Sequence, residues 1–505
     1  MFRGSSSRDV ALKALELALL LSLVSAFIYY EVSYVSGIDD YISDECWYVS
    51  AARNMLSKYL NIAPSELVKG DIVRVTIELQ RPINGSRYSM WVSEVKEFIK
   101  RLGGTVVKDD TYYSFNSEGN YLPAVCADVP RENISRITRA PHLRKYSIGY
   151  CYPNANGILD YVNAEHPPLV KYVLGLSILL LGDRPVSWRL PSILSGAVIL
   201  VLAYLSVKLI IGNRVGGFLG IAAAATLALD TLFRSLSMVA MLDIYVSLFT
   251  IITYFCALNG RLGASLIPLS AAFASKFSGA FTGLPLFFHG LRRTRSLVFI
   301  VKLVAIPVIA LTMISTPIIL HDGLESWWEN SVVGAISWHL SIKTTGGPPK
   351  SAPWEWLIGA NPFPLHYIYD ESSGQWIADI IAKGNIPLYL LALALSIFIL
   401  PVVKELKDSG LTYTFTWGVF SMYVAIWLAG ARTQYSFYMV QITPLLYVLL
   451  FIMAYYLTSP VSNAIYIARK WHRILRVAWL LLTGRARLKL TIVVSEGEGS
   501  RNNGL

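Results

Sequence analysis

The stretch IDDYISDECWYVSAARNM, residues 38–55, lies where the first apolar segment of the chain ends. At its centre are Asp44 and Glu45, followed by Trp47 and Tyr48. Adjacent carboxylates at a membrane edge are neither cheaply buried nor simply solvated. They indicate either a polar cap on a helix end or a general base that meets a substrate in the membrane. Both interpretations stay open from this stretch alone.

The composition around this stretch is that of a polytopic membrane protein. The 505 residues are 54% hydrophobic and 15% charged, and the mean hydropathy is +0.49, which excludes an ordinary soluble domain. The net charge of +11 arises from clusters beside apolar runs, which is typical of loops on the inner membrane side and not of nucleic-acid binding. These clusters are Arg292, Arg293, Arg295, Lys404, Lys407 and the tail 469–489.

The first apolar run, residues 10–30, is long enough to cross the hydrocarbon region. It exceeds the apolar core of a signal peptide, and no small-residue cleavage pattern precedes the acids, so we expect a retained first helix. Its basic amino-terminal flank favours the inside, which places Asp44 and Glu45 on the outer face of a plasma membrane.

Residues 64–158 have a soluble composition and predict an outer α+β domain. Strands are predicted at 71–79, 105–107, 121–129 and 145–151, and helices at 89–102 and 130–139. The order β-α-β-β-α-β is typical of a ferredoxin-like fold. Cys126 and Cys151 fall in this domain and either pair or stay free, while Asn84 and Asn133 begin glycosylation sequons.

A series of short motifs then follows along the chain. After the acidic pair come EHPPL (165–169), WRLP (188–191), SLSMVAMLD (235–243), ASKFSG (274–279), SAPWEW (351–356) and RTQYSFYMVQITP (432–444). In this order they resemble the protein O-mannosyltransferases that use dolichyl-phosphate-mannose, within the GT-C superfamily of membrane glycosyltransferases. Met238 stands where that family has an arginine, and the loop 322–382 is too short for the β-trefoil repeats of eukaryotic members.

The hydropathy pattern predicts about 10 to 11 transmembrane helices. Residues 168–181 are short and contain Lys171, so we expect an interfacial helix there. Further helices are predicted at 187–211, 215–231, 242–258, 297–320, 384–402, 411–430 and 436–457, with 262–288 broken at Lys276. A rival layout, in which 168–181 crosses and 262–288 is one helix, moves Asp243 and Arg189 inside.

The predicted fold is therefore an α-helical polytopic GT-C-type protein with an extracytoplasmic ferredoxin-like insert. We expect six regions: 1–63 with the first helix and start of the catalytic outer loop; 64–158, the insert; 159–321, the transmembrane core; 322–382, a second outer loop; 383–458, the last transmembrane helices; and 459–505, a basic cytoplasmic tail.

The resemblance implies that a sugar, mannose in that family, moves with inversion from a polyprenyl-phosphate donor to a Ser or Thr hydroxyl of a protein. It assigns the general base to Asp44 and an acceptor- or donor-positioning role to Glu45. Cationic groups that can stabilise the departing phosphate are Lys171, Arg189, Lys276 and Arg432. The remaining candidates for substrate binding are His166, Asp243, Tyr435 and Tyr438.

Three alternatives stay open. The acceptor can instead be a lipid or a cell-surface glycan, and intramembrane charges with broken helices would also suit a secondary transporter. Asp39 and Asp40 with the acidic pair offer oxygen ligands to a divalent cation, but we expect no obligatory metal or other cofactor. No nucleotide-binding fingerprint or nucleic-acid partner is indicated, and the sequence does not determine the oligomeric state.

Overall fold

The computed structural model describes residues 7–67, 69–80, 86–108, 113–115, 121–149, 151, 161–340 and 349–487. The sequon at Asn84 and the end of the predicted basic tail lie outside these ranges. All structural statements below concern the described residues.

The chain begins with one long apolar helix, α1 (Ser7–Ser36), as the sequence predicts. A short loop then carries the acidic pair into α2 (Glu45–Leu60). Helix α2 ends at Asn61, whose positive φ of 54° is the left-handed conformation common after a helix. One turn, α3 (Pro64–Leu67), precedes the insert.

The insert has the predicted ferredoxin-like sheet. Its elements are β1 (Ile72–Leu79), α4 (Ser86–Arg101), β2 (Thr105–Lys108), β3 (Tyr113–Phe115), β4 (Tyr121–Pro130), a 3-10 helix (Arg131–Arg139) and β5 (Leu143–Ile148). The strand order β2-β4-β1-β5, with antiparallel neighbours, is that of the β-α-β-β-α-β unit. The sequence missed β3, which pairs with β4, and the second helix is 3-10 instead of α.

Two polar features of the insert have structural partners. Cys126 and Cys151 form a disulfide, which is one of the two alternatives that the sequence left open. The side-chain amide of Asn133 donates a hydrogen bond of 2.9 Å to the carbonyl of Leu102. This sequon asparagine is therefore tied to the turn after α4.

The helical core begins after the insert. Its first helices are α5 (Leu169–Leu181), α6 (Pro185–Ile211), α7 (Arg214–Ala228), α8 (Thr231–Ser237) and α9 (Asp243–Leu258). Helix α5 ends at Gly182, whose φ of +91° is accessible to glycine. Pro185 then lies in the first turn of α6, where a missing N–H costs no hydrogen bond.

The predicted break at Lys276 is present. Helix α10 (Leu262–Ser275) stops there, Lys276 is extended, and a 3-10 helix (Phe277–Thr282) leads into α11 (Gly283–Thr294). The rival single helix over 262–288 is therefore wrong. The chain continues with α12 (Leu297–Ile314), α13 (Thr316–Asp322), α14 (Leu324–Trp327), a π-helical turn (Trp328–Val333) and α15 (Gly334–Leu340).

The last third contains a β-hairpin that the sequence did not predict. After α16 (Pro353–Ile358), strands β6 (Phe363–Asp370) and β7 (Gln375–Ala382) pair antiparallel. The remaining elements are α17 (Ile386–Ile399), a 3-10 helix (Leu400–Glu405), α18 (Lys407–Leu428), a 3-10 helix (Ser436–Gln441), α19 (Thr443–Thr458) and α20 (Ser462–Leu482).

Five of the described helices, α1, α6, α12, α17 with the turn after it, and α18, are long and apolar enough to cross a membrane. The number rises to seven if the bent pairs α7 with α8 and α19 with α20 each count as one span. The shorter apolar helices α9 and α10 account for part of the difference from the predicted 10 to 11. The architecture confirms a multi-pass helical membrane protein with an α+β insert.

Candidate active site

A fully buried ion pair organises the loop that carries the acidic residues. Arg189 Nη2 on α6 lies 2.8 Å from Glu45 Oε2, and neither side chain is exposed. The Glu45 carboxylate also accepts hydrogen bonds from the backbone N–H groups of Ile42, at 2.8 Å, and Ala240, at 2.9 Å. A buried charge pair is tolerated when its remaining hydrogen-bonding capacity is satisfied in this way.

The guanidinium of Arg189 is occupied by the same loop. It donates to the carbonyls of Val35, at 3.2 Å, and Ile38, at 2.8 Å, and to that of Asp40. Arg189 and Glu45 therefore hold the end of α1 against the start of α2. Both were predicted to act on substrate, but their described contacts are internal and give them a positioning role.

Asp44 has a different environment from its neighbour. It is the residue before the first turn of α2, yet its side chain makes no capping hydrogen bond, so the interpretation as a simple helix cap is not supported. Ser43, with a φ of +52°, turns the chain immediately before it. Asp44 is half-buried and lines a cavity of about 300 Å³.

Burial raises the pKa of the Asp44 carboxyl to about 6, against a lowering by the Lys276 ammonium and a further raising by Asp243. A carboxyl group with a pKa in this range is ionised near neutral pH and takes up a proton more readily than an ordinary aspartate. This is the electrostatic setting that a general base requires.

Lys276 and Asp243 form a second buried pair, and Lys276 lines the cavity. Lys276 Nζ donates a hydrogen bond of 2.8 Å to Asp243 Oδ1, and Nζ lies 4.1 Å from the ring centre of Tyr438. The break after α10 brings the ammonium to this position. Asp243 Oδ2 is buried without a hydrogen-bond partner among the described residues.

The segment before α5 forms one wall of the cavity. The Asn163 amide donates to Tyr161 Oη at 2.9 Å and to Glu165 Oε1 at 3.1 Å, and Tyr161 Oη also donates to Glu165. The ring of His166 packs edge-on against Tyr48. This wall is polar and is held by its own hydrogen bonds.

Lys171 forms hydrogen bonds to the backbone of that wall. It is buried, and its ammonium donates to the carbonyls of Val162, at 3.2 Å, and His166, at 2.8 Å, and also to that of Asn163. Lys171 was predicted as a donor-binding cation. Its three backbone partners instead give it the role of fixing the segment that carries His166.

Two adjoining cavities share three of these residues. The polar cavity of about 300 Å³ contains Asp44, and the second, of about 510 Å³, is bounded mostly by apolar side chains such as Phe277, Phe281 and Ile336. The residues common to both are His166, Lys276 and Tyr438. A molecule with one polar and one apolar end therefore fits across the junction.

The structure brings most of the predicted residues together. Asp44, His166, Lys276, Tyr435 and Tyr438 line the polar cavity, and Asp243 reaches it through Lys276. Because Arg189 and Asp243 share this site with the acidic loop, the rival layout that places them on the opposite membrane side is wrong.

Arg432 is the predicted residue that lies apart. It is exposed and is not among the described residues that line either cavity. Its role as a cation that stabilises the departing phosphate stays a prediction. The acidic residues that were considered as ligands for a divalent cation form separate ion pairs. Asp39 pairs with Arg74, Asp40 with Lys108 and Glu45 with Arg189.

Sequence reasoning missed several lining residues: Trp47, Tyr48, Tyr161, Asn163, Glu165 and Phe437. Trp47, Tyr48 and Glu165 lie beside residues that were selected, so their proximity to the motifs was an available signal. Tyr161 and Asn163 lie at the end of the insert, and the sequence offered no local pattern that joins them to the site.

Comparison with known proteins confirms the resemblance over part of the chain. Residues 165–320 match the family described as dolichyl-phosphate-mannose-protein mannosyltransferase. The matched segment contains His166, Arg189, Asp243 and Lys276. This part of the chain is therefore similar to a family of polyprenyl-phosphate-sugar-dependent glycosyltransferases. No curated protein matches the sequence significantly.

Two solved structures are similar to part of the fold. They are ArnT from Cupriavidus metallidurans in the apo state, with a TM-score of 0.38, and the same protein bound to undecaprenyl phosphate, with a TM-score of 0.40. Both are 16% identical and cover 58% of this chain. The chain spans about half of ArnT, 49% and 50% respectively. A likeness at this level carries no argument about activity.

Proposed function

We propose that this protein is a membrane glycosyltransferase that transfers a sugar from a polyprenyl-phosphate donor to a hydroxyl acceptor. The observation that carries the proposal is the junction of the apolar and polar cavities at Lys276, with Asp44 in the polar one. A polyprenyl-phosphate sugar has the matching chemistry, since its chain is apolar and its phosphate and sugar are polar.

In the proposed complex the prenyl chain follows the apolar cavity past Phe277 and Phe281. The phosphate lies beside the Lys276 ammonium, where Asp243 fixes the lysine side chain and a weakly hydrated setting strengthens the attraction. His166 offers a ring N–H to the same phosphate. The sugar then occupies the polar cavity near Asp44.

The proposed reaction is a direct displacement at the anomeric carbon. The acceptor hydroxyl oxygen forms the new bond to this carbon while its proton passes to the Asp44 carboxylate. The bond between the anomeric carbon and the phosphate oxygen breaks, and the electron pair leaves with the polyprenyl phosphate. Attack opposite the leaving group inverts the configuration, and Lys276 stabilises the charge that develops on the departing phosphate.

At the finer level, we propose mannose as the sugar, a protein Ser or Thr as the acceptor, and the extracytoplasmic face as the side of reaction. The description of the matched family supports the sugar and the acceptor, and the basic clusters at the other helix ends support the side. The acidic loop, the insert and the β6–β7 hairpin would then all face outward.

The test uses purified protein in liposomes with radiolabelled polyprenyl-phosphate-mannose. A Ser/Thr-rich peptide and a glycolipid are offered as separate acceptors, and polyprenyl-phosphate-glucose serves as the alternative donor. Label on the peptide, released polyprenyl phosphate and loss of both in Asp44→Asn are expected. Label on the glycolipid alone would overturn the protein acceptor, and no sugar transfer from either donor to either acceptor would overturn the glycosyltransferase.

A further inference from the structure

Another large cavity lies beside the amino-terminal and central turns of α18. Tyr423 and Ile426 on α18 line the apolar cavity of that site, whereas Tyr413 and Trp417 line a separate cavity of about 540 Å³. Among the described residues, the two cavities have no lining residue in common. The volume is in the range of pockets that hold small molecules.

The mouth of this cavity is basic. Arg292, in the last turn of α11, and Lys404, in the 3-10 helix after α17, both line it and are both exposed. Neither forms an ion pair with any of the residues that the structure describes. The nearby carboxylate of Glu405 pairs with Lys470 of α20, so it does not neutralise Lys404. The acidic group that interacts electrostatically with His289 is Asp408, in the first turn of α18.

His289 adds an unsatisfied hydrogen-bonding group in the wall of the cavity. The imidazole lines the cavity, and its Nε2 atom is buried without a partner among the described residues. A buried nitrogen without a hydrogen-bond partner costs free energy unless a ligand or a water molecule forms a hydrogen bond with it. An oxygen atom of an anionic ligand would meet this need together with the two cations.

The walls behind the mouth are apolar, and the cavity is bordered by exposed apolar side chains. Leu411 and Trp417 line the interior, while Phe288 and Leu400, at the edge, are 45% and 52% exposed. A soluble anion would use the cationic mouth but leave these walls without contacts. An amphiphile with a phosphate at one end can contact the cations with its phosphate and the apolar walls with its hydrocarbon chain.

We propose that this cavity binds an anionic membrane phospholipid. Its phosphate oxygens accept hydrogen bonds from Arg292, Lys404 and His289 Nε2–H, and an acyl chain lies along Leu411 and Trp417. The bound lipid joins α11 to α18 and the end of α17. This site is separate from the candidate active site and does not depend on the proposed reaction.

The experiment measures lipid binding by native mass spectrometry and thermal melting of the purified full-length protein after removal of bound lipid. Phosphatidylglycerol, phosphatidylcholine, polyprenyl phosphate and inorganic phosphate are titrated separately. Phosphatidylglycerol is expected to bind and raise Tm. The double variant Arg292→Gln/Lys404→Gln should weaken its binding about tenfold or more, because each charge-assisted contact is lost.

A matched control removes the same two charges from a nearby helix. Arg473 and Arg476 are exposed on α20, and Arg473→Gln/Arg476→Gln should leave phosphatidylglycerol binding within about twofold of the original protein, because screened exposed charges act weakly at a distance. Thr414→Phe, which fills the cavity without changing its charge, should also abolish binding while the lipid-free protein still melts cooperatively.

Three results would overturn the proposal. Equal stabilisation by inorganic phosphate would identify a free-anion site, and equal losses in the two double variants would identify general attraction to basic surfaces. Tenfold stronger binding of polyprenyl phosphate than of phosphatidylglycerol would assign the cavity to a different lipid.

Discussion

The Lys276 ammonium lies 2.8 Å from Asp243 Oδ1, and Asp243 Oδ2 has no hydrogen-bond partner among the described residues. The carboxylate therefore fixes the lysine from one side and leaves its other face toward Tyr438 and the two cavities. This relationship makes Lys276, at a break between helices, the best-placed cation for a phosphate in the described site.

Asp44→Asn should abolish transfer while donor binding is retained, because the amide has nearly the same shape but takes up no proton. General-base contributions predict a fall in kcat of about 10²- to 10⁴-fold. Turnover in liposomes and binding of the labelled donor provide the two measurements. Asp39→Asn, at an exposed carboxylate paired with Arg74, is the control, and substantial turnover in Asp44→Asn would remove Asp44 as the base.

The rate should also depend on pH through the same group. Burial raises the pKa of Asp44 to about 6, and the base acts only when ionised. We therefore expect kcat/KM to be constant above this pH and to fall about tenfold per pH unit below it. Initial rates between pH 4.5 and 8, with folding checked at each pH, measure this decrease in kcat/KM. A kcat/KM that stays nearly constant down to about pH 4.5 would indicate an unperturbed aspartate.

Lys276→Gln should lower kcat and kcat/KM together, by an amount that corresponds to about 2 to 4 kcal/mol of lost transition-state stabilisation. Arg432→Lys is the comparison. Because Arg432 is exposed and lines neither cavity among the described residues, we expect this change to leave kcat nearly unaltered. A large fall in kcat for Arg432→Lys would instead support the phosphate contact that the sequence motif suggested.

Arg189→Met should destabilise the protein strongly, because it leaves Glu45 buried without its partner. The expected loss is about 3 to 5 kcal/mol in the free energy of unfolding, measured by SDS titration. Lys58→Met, which breaks a more exposed pair with Asp322, should cost about 1 kcal/mol or less. Equal effects of the two changes would argue against the organising role of the buried pair.

The side of the membrane can be determined with single cysteines in a protein whose Cys46 and Cys256 are replaced by serine. Glu371, in the turn between β6 and β7, and Arg473 on α20 are both exposed. On intact cells, an impermeant maleimide should label Glu371→Cys directly and Arg473→Cys only after permeabilisation. The reverse pattern would place the candidate site on the cytoplasmic side.

The amphipathic helix α20 lies in a segment for which the sequence predicted only a basic tail. Residues 459–505 were predicted as a basic tail, yet Ser462–Leu482 is helical and bends by 96° from α19. Ile467 is buried against the ends of the core helices, and Arg469 and Arg473 lie on the other face. Apolar residues recur at helical spacing in this segment, but its high density of charge is equally typical of a solvated tail.

The membrane class, the ferredoxin-like order of the insert and the interruption at Lys276 could be predicted from the sequence, because they depend on local hydropathy, strand alternation and helix stops. The sequence also indicated the acidic pair. The folded arrangement was needed to show that Asp44 lines the cavity while Glu45 is bound by Arg189, 144 residues away. Adjacent carboxylates look equivalent in sequence, and long-range packing alone determines which one meets a buried cation and which one meets an open pocket.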